Sequence, residues 1–88
     1  MRIKKIFYHP KFKKAYQKLP LEIKKKAEKK EKIFRQNCFD PRLKTHKLTG
    51  KLKDISAFWI DKHYRILFVF YEKDSVIFLD VGTHEIYK

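Results

Sequence analysis

Apolar residues change their spacing along this chain, and the changes divide it into elements. Ile3, Ile6 and Phe7 cluster in a short first strand, Ile3 to Tyr8, which His9-Pro10 interrupts. A proline there suits the first turn of a helix. Phe12, Ala15, Tyr16 and Leu19 then recur at i, i+3, i+4 and i+7, the stripe of an amphipathic helix. After Pro20 the pattern predicts a second helix over Leu21 to Asn37. It buries Ile23, Ala27, Ile33 and Phe34 behind an outer face of Lys24, Lys25, Lys26, Lys29, Lys30 and Lys32. Two helices joined at a proline make an antiparallel hairpin. Asp40-Pro41 opens a loop expected to run to about Gly50.

Beyond Gly50 the period becomes two. Ile55, Ala57 and Trp59 alternate with Ser56, Phe58 and Ile60, and Asp61-Lys62 turns the chain. Tyr64 to Tyr71 is apolar on both faces apart from Arg65, as in a central strand. Glu72-Lys73-Asp74 turns it again into a last strand from Val76 to Val81. The order β-α-α-β-β-β predicts one α+β domain over residues 1–88, a helical hairpin packed on a small antiparallel sheet. If the last hairpin centres on Lys73, paired positions sum to about 146. That places His63 near Thr83 and Arg65 near Val81, and gathers His63, Arg65 and His84 at one end of the sheet.

Composition supports a folded chain: 43% hydrophobic residues with eight Phe, five Tyr and one Trp. The lone Cys38 has no disulfide partner and no zinc-ligand set accompanies it, which fits a reducing compartment. No apolar run approaches the roughly 20 residues of a membrane span, and no signal-peptide pattern follows the basic start. A soluble, cytoplasmic protein without a membrane partner is expected. Charge changes the picture more. Residues 1–53 hold 19 Lys+Arg against 4 Asp+Glu, or +15, and residues 54–88 hold 4 against 6, or −2, together the net +13. Such asymmetry points to a polyanionic partner, a nucleic acid or an acidic protein; a lysine-rich proteome would also produce it.

The candidate chemistry lies in the second half. Arg65 is the one charge in its strand, where a guanidinium is costly unless it is paired or faces a site. Either it pairs with Asp80 or Asp54, or it is a planar donor for a phosphate. His84 follows Gly82, a residue that permits a turn and close approach, and with His63 nearby it is a candidate acid or base. His46 sits in a basic loop in which Lys44, Lys47, Lys51 and Lys53 are the expected RNA contacts. His9 reads as a helix-entry residue. Trp59 and Tyr64 are aromatics that can stack on bases, with core packing the better assignment for Tyr64. Walker, Rossmann and Ser-His-Asp signatures are absent.

The element order, the segment Leu48-Thr49-Gly50 ahead of Tyr64-Arg65-Ile66, and the closing Asp80-Val81-Gly82-Thr83-His84 resemble the RelE/ParE superfamily of bacterial toxins. The resemblance spans essentially the whole chain. It implies a toxin of a type II toxin–antitoxin system, with a RelE-like fold and an acidic antitoxin as partner. The toxin alone would be monomeric, and hetero-oligomeric with its antitoxin. His46 in His-x-Leu-x-Gly and His84 in Gly-Thr-His match histidines of the YafQ branch. Arg65 matches the phosphate-contacting arginine of the RelE branch, and Tyr87 lies close to that branch's C-terminal tyrosine. The RelE-branch lysines would fall at Ser56 and Phe58, a further YafQ histidine at Trp59 and the YafQ aspartate at His63, so the set His46, His63, Arg65, His84 and Tyr87 matches neither branch fully.

The activity implied is metal-independent cleavage of mRNA on the ribosome, with no cofactor. The 2′-OH attacks the adjacent phosphate, His46 and His84 serve as base and acid in either order, and Arg65 stabilises the transition state. Two alternatives stand beside it: a ParE-like toxin acting on DNA gyrase, and a basic RNA- or protein-binding module without catalysis.

Overall fold

A computed structural model describes residues 1–50 and 54–87. Strand β1 (Lys5–Tyr8) leads into helix α1 (Pro10–Gln17) and helix α2 (Leu21–Gln36). A short 3-10 turn (Pro41–Leu43) and four further strands follow: β2 (His46–Lys47), β3 (Ser56–Trp59), β4 (Tyr64–Phe70) and β5 (Ser75–Thr83). A 3-10 helix, His84–Tyr87, closes the described chain. The five strands lie in the order β1-β5-β4-β3-β2. Pro10 occupies the first turn of α1, and His9 caps it by accepting the Lys11 N–H on Nδ1 at 3.0 Å.

One face of the sheet is buried under the helices. Phe34 of α2, with no exposed surface, stacks on Phe58 of β3 at 4.7 Å between centroids and meets Phe68 and Phe78 edge-on at 5.0 and 5.5 Å. Phe12 joins the same cluster from α1, 5.3 Å from Phe78. The helical stripe and the alternating strand residues thus meet in one aromatic core, with Ile23, Ala27, Ile66, Val76 and Val81 around it. Of the expected inward residues, Phe7 points outward and is 41% exposed, its ring edge-on to Tyr71. Ile6 beside it in the strand is buried, as is Ile3 ahead of the strand.

The α+β class and the element order hold, and two features differ from the expectation. The sheet is mixed rather than antiparallel: β1 runs parallel to β5, Ile6 opposite Val76 and Tyr8 opposite Phe78. The chain leaves β1 through the two helices and returns on the far side of the sheet, so a crossover joins the pair, as parallel pairing requires. The loop after Asp40 also contains an edge strand: His46 pairs with Ala57 and Lys47 with Ser56. Two residues are too few to show a period.

The hairpin register departs by one at its far end. Near the turn, Phe70 pairs with Val76 and Phe68 with Phe78, which sum to the expected value. A bulge then intervenes, and Leu67 pairs with Asp80, Arg65 with Gly82 and Tyr64 with Thr83. Arg65 therefore lies opposite Gly82 instead of Val81, which keeps Val81 in the core and turns Gly82 to the face away from the helices. Among the described residues, no helix is long and apolar enough to cross a membrane.

Candidate functional site

Because Phe58 is turned into the core, alternation along β3 puts Ala57 and Trp59 on the opposite face. Residues paired across strands share a face, so Arg65, the partner of Trp59, stands there too, as does Gly82 beyond it. This row, Trp59–Arg65–Gly82, is the centre of the candidate site.

Arg65 is half-buried, and its guanidinium carbon lies 3.9 Å from the centroid of the Trp59 ring. Its Nη1 donates to the carbonyl of Asp61 at 2.8 Å and to that of Tyr64 at 3.2 Å. Among the described residues no carboxylate reaches it. Asp80 instead accepts the N–H of Val81 at 2.9 Å and pairs with Lys11 at 3.5 Å, and Asp54 forms no ion pair with another described residue. The expected pairing of Arg65 with Asp80 or Asp54 is thus replaced by a ring and two carbonyls, which satisfy hydrogens while leaving the charge uncompensated.

The turn that presents Arg65 is built by Asp61. One carboxylate oxygen, Oδ1, accepts the backbone N–H of His63 at 2.8 Å and of Tyr64 at 2.9 Å, while Oδ2 meets Lys26 of α2 at 3.5 Å. Burial pushes the Asp61 carboxyl up, but the two N–H donors and Lys26 outweigh it and hold it below its ordinary value. Sequence reading identified Asp61 only as a turn residue. Its part in holding the His63 and Tyr64 amides was signalled by an Asp two and three positions ahead of them, the spacing of an Asx turn.

His46 lies on the same face at one remove, because Ala57 pairs with it on one side and with Leu67 of β4 on the other. Two strand spacings and two residues separate it from Arg65, ~12 Å between Cα atoms by ideal sheet geometry. Its Nδ1 is 2.9 Å from the carbonyl of Lys44. A carbonyl only accepts, so Nδ1 carries the proton in this bond and the neutral ring presents a lone pair on Nε2. Lys44 itself holds the left-handed conformation, φ 51°, after the 3-10 turn, and its Nζ is 4.7 Å from the centroid of the Trp59 ring. A lysine in that conformation is locally strained, and here it serves three contacts: the end of the turn, His46 and Trp59.

At the other side of Arg65, the chain doubles back. A Cβ on Gly82 would stand 2.8 Å from Cγ2 of Ile86, so Ile86 packs directly onto the glycine. The closing 3-10 helix therefore lies over the sheet face beside Arg65. His84 begins that helix, with its side chain 73% exposed and its Nε2 3.9 Å from Glu85. His63 is exposed in the turn next to Tyr64, which pairs with Thr83. Register thus gathers His63, Arg65 and His84 at one end of the β4–β5 pair and leaves His46 across β3. Tyr87 ends the closing helix, its side chain outside the described part. Lys47 is exposed on the edge strand, and Lys51 and Lys53 lie outside the described residues. Tyr64 packs on the core. Trp59 does not offer a bare ring to a base, since Arg65 and Lys44 are already on it. Ser56 and Phe58 are buried, at 5% and 0% exposure.

Comparison with solved structures shows a fold shared with bacterial toxins. A YoeB/ParE toxin from Agrobacterium tumefaciens superposes with a TM-score of 0.78 at 13% identity, covering 92% of this chain and 99% of its own. The RelBE2 toxin–antitoxin complex from Mycobacterium tuberculosis gives 0.73 at 17% identity, covering 91% and 96%. The E. coli DinJ–YafQ toxin–antitoxin complex gives 0.70 at 18% identity, covering 98% and 97%. No protein-family model and no curated protein sequence matches the chain. The fold is that of the RelE, YafQ and ParE toxins, two helices on a five-stranded mixed sheet.

Proposed function

We propose that this chain is the toxin of a type II toxin–antitoxin pair and that it cleaves mRNA on the ribosome. The observation that carries the reading is Arg65: a guanidinium fixed at the sheet end, free of any carboxylate among the described residues, with histidines on both sides. Charge that develops on the non-bridging oxygens of a phosphodiester is stabilised by such a donor. The tautomer set by the Lys44 carbonyl gives His46 a free Nε2, so His46 is the base that takes the proton from the 2′-OH. His84, past Gly82 on the other side of Arg65, then protonates the departing 5′-oxygen. The bond from O2′ to phosphorus forms as that from phosphorus to O5′ breaks, leaving a cyclic phosphate and a 5′-hydroxyl. His63 flanks the same phosphate from the Asp61 turn, and Tyr87 and the lysines at 44, 47, 51 and 53 complete the RNA surface.

The basic N-terminal half, +15 over residues 1–53, suits both an RNA and an acidic antitoxin, and solved neighbours of this fold are toxin–antitoxin complexes. A second reading, a ParE-like toxin acting on DNA gyrase, is favoured by one observation. Ser56 and Phe58, where the RelE branch would place its lysines, are buried and carry no charge.

The test is induced expression with primer-extension mapping of a reporter mRNA, wild type beside His84→Ala and Arg65→Ala. Each removed group is expected to lower cleavage by ~10²–10⁴-fold. Discrete cuts that vanish in both variants support the nuclease. Growth arrest with intact mRNA moves the assignment to the gyrase-type toxin.

A further inference from the structure

Arg65 carries five N–H hydrogens in a rigid fork, and the structure accounts for two of them. Both lie on Nη1 and are taken by the carbonyls of Asp61 and Tyr64. The three on Nε and Nη2 have no acceptor among the described residues. Nε and Nη2 form the side-on edge of a guanidinium, the one whose two parallel hydrogens match two oxygens of a phosphate. A free arginine in solution samples many rotamers, and ordering it on a ligand opposes binding. Here the ordering is present before any ligand arrives.

Trp59 is what holds the plane. It is the register partner of Arg65 across β3 and β4, so their closeness is imposed by sheet pairing rather than by side-chain chance. The guanidinium carbon at 3.9 Å from the ring centroid is at stacking distance, tighter than the ~6 Å limit of a cation–π contact. The ring covers one side of the guanidinium at that distance, and the two carbonyls anchor Nη1. Neither contact uses the Nε/Nη2 edge.

We infer that Trp59 is a positioning residue: its indole, with the Asp61 and Tyr64 carbonyls, presets the Nε/Nη2 edge of Arg65 as a fork for one phosphodiester. This rests on the nuclease reading for the identity of the phosphodiester, but the fork itself does not depend on cleavage. Trp59 touches no RNA in this scheme. Lys44, which approaches the same ring, adds positive charge near the fork.

The test combines two readouts on full-length protein carrying Trp59→Phe or Trp59→Leu, each made in the wild-type and Arg65→Ala backgrounds. The first is the Nε–H resonance of Arg65 in the free protein, assigned by its loss in Arg65→Ala. Ring current shifts it upfield in wild type; Trp59→Phe keeps most of that shift and Trp59→Leu abolishes it. The second is affinity for a short RNA methylated at every 2′-oxygen, which can bind but cannot be cleaved. Trp59→Leu is expected to weaken it ~5- to 30-fold, the range of a partly desolvated cation–π contact, and Trp59→Phe to restore most of it. In the Arg65→Ala background neither substitution has a further effect.

An unshifted Nε–H, equal losses in both backgrounds, or a Phe variant as weak as the Leu variant overturns the assignment. Failure of wild type to bind the methylated RNA also overturns it. Wild type that binds with this pattern yet leaves unmodified mRNA intact upholds the fork and removes the nuclease reading instead.

Discussion

Asp61 offers the sharpest test of how the site is held. Asp61→Ala removes the acceptor of two backbone hydrogen bonds, from His63 at 2.8 Å and Tyr64 at 2.9 Å, and the 3.5 Å contact with Lys26. Hydrogen bonds to an ionised group contribute up to ~3 kcal/mol each when shielded. The His63 amide is exposed and recovers water, and Lys26 is a surface pair that contributes a few tenths at most. The expected cost is about 2 kcal/mol in all, read as a lower midpoint in urea at unchanged slope, or about 10 °C in Tm for a domain of this size. Asp61→Asn keeps the acceptor oxygen and loses only charge, so it should cost less than half as much. The carboxyl is held below its ordinary value, so its contribution is fully present above the unfolded carboxylate pKa of ~3.9 and fades as pH falls through the lower, folded value. The gap between wild type and Asp61→Asn should therefore close on acidification. Because the Asp61 carbonyl also holds Arg65 Nη1, the proposed nuclease reading expects RNA cleavage by Asp61→Ala to drop further than its folded fraction. An Ala variant within ~0.5 kcal/mol of wild type would refute the role of the carboxylate in the turn.

Three further outcomes follow from the packing. Phe34→Ala, at a site with no exposure and three ring partners, should cost ~3–5 kcal/mol by equilibrium unfolding; a loss under ~1 kcal/mol would mean the core does not centre on it. Tyr8 is pushed up to about 12 by burial and by its 2.6 Å bond to Glu31. Its stabilising effect is present below the unfolded value of ~10 and is lost as pH rises through about 12. Absorbance at 295 nm should show late titration of Tyr8 and of Tyr16, which burial also pushes up, and Glu31→Gln should bring Tyr8 down. Gly82→Ala places a methyl 2.8 Å from Ile86 Cγ2. Cγ2 sits on the stiff β-branched carbon of Ile86, so the side chain moves only with its backbone, at a cost of ~1–3 kcal/mol, and the closing 3-10 helix should lift from the face beside Arg65. Persistence of the contact between residue 82 and the Ile86 methyls, read as a nuclear Overhauser effect, would contradict that.

The helices and the longer strands of this protein were legible in its sequence because local spacing dictates them. The 3.6-residue stripe of Ile23, Ala27 and Phe34 and the alternation through Phe58 needed no knowledge of the partner surface. Pro10, Pro20 and Asp61 marked boundaries by chemistry confined to a few residues, and Arg65 stood out because it was the one charge in an apolar strand. Where Arg65 sits and what it contacts were decided only by the tertiary structure. The parallel pairing of β1 with β5 joins residues some seventy positions apart, Lys5 with Ser75. The bulge that sets Arg65 against Gly82 depends on keeping Val81 in a core built by distant helices. The Trp59 stack, the Asp61 carbonyl bond and Ile86 on Gly82 are likewise contacts between strands, turns and a chain end. Periodicity encodes which side of an element is apolar; register, and with it which side chains face one another, is fixed only when those apolar sides pack together.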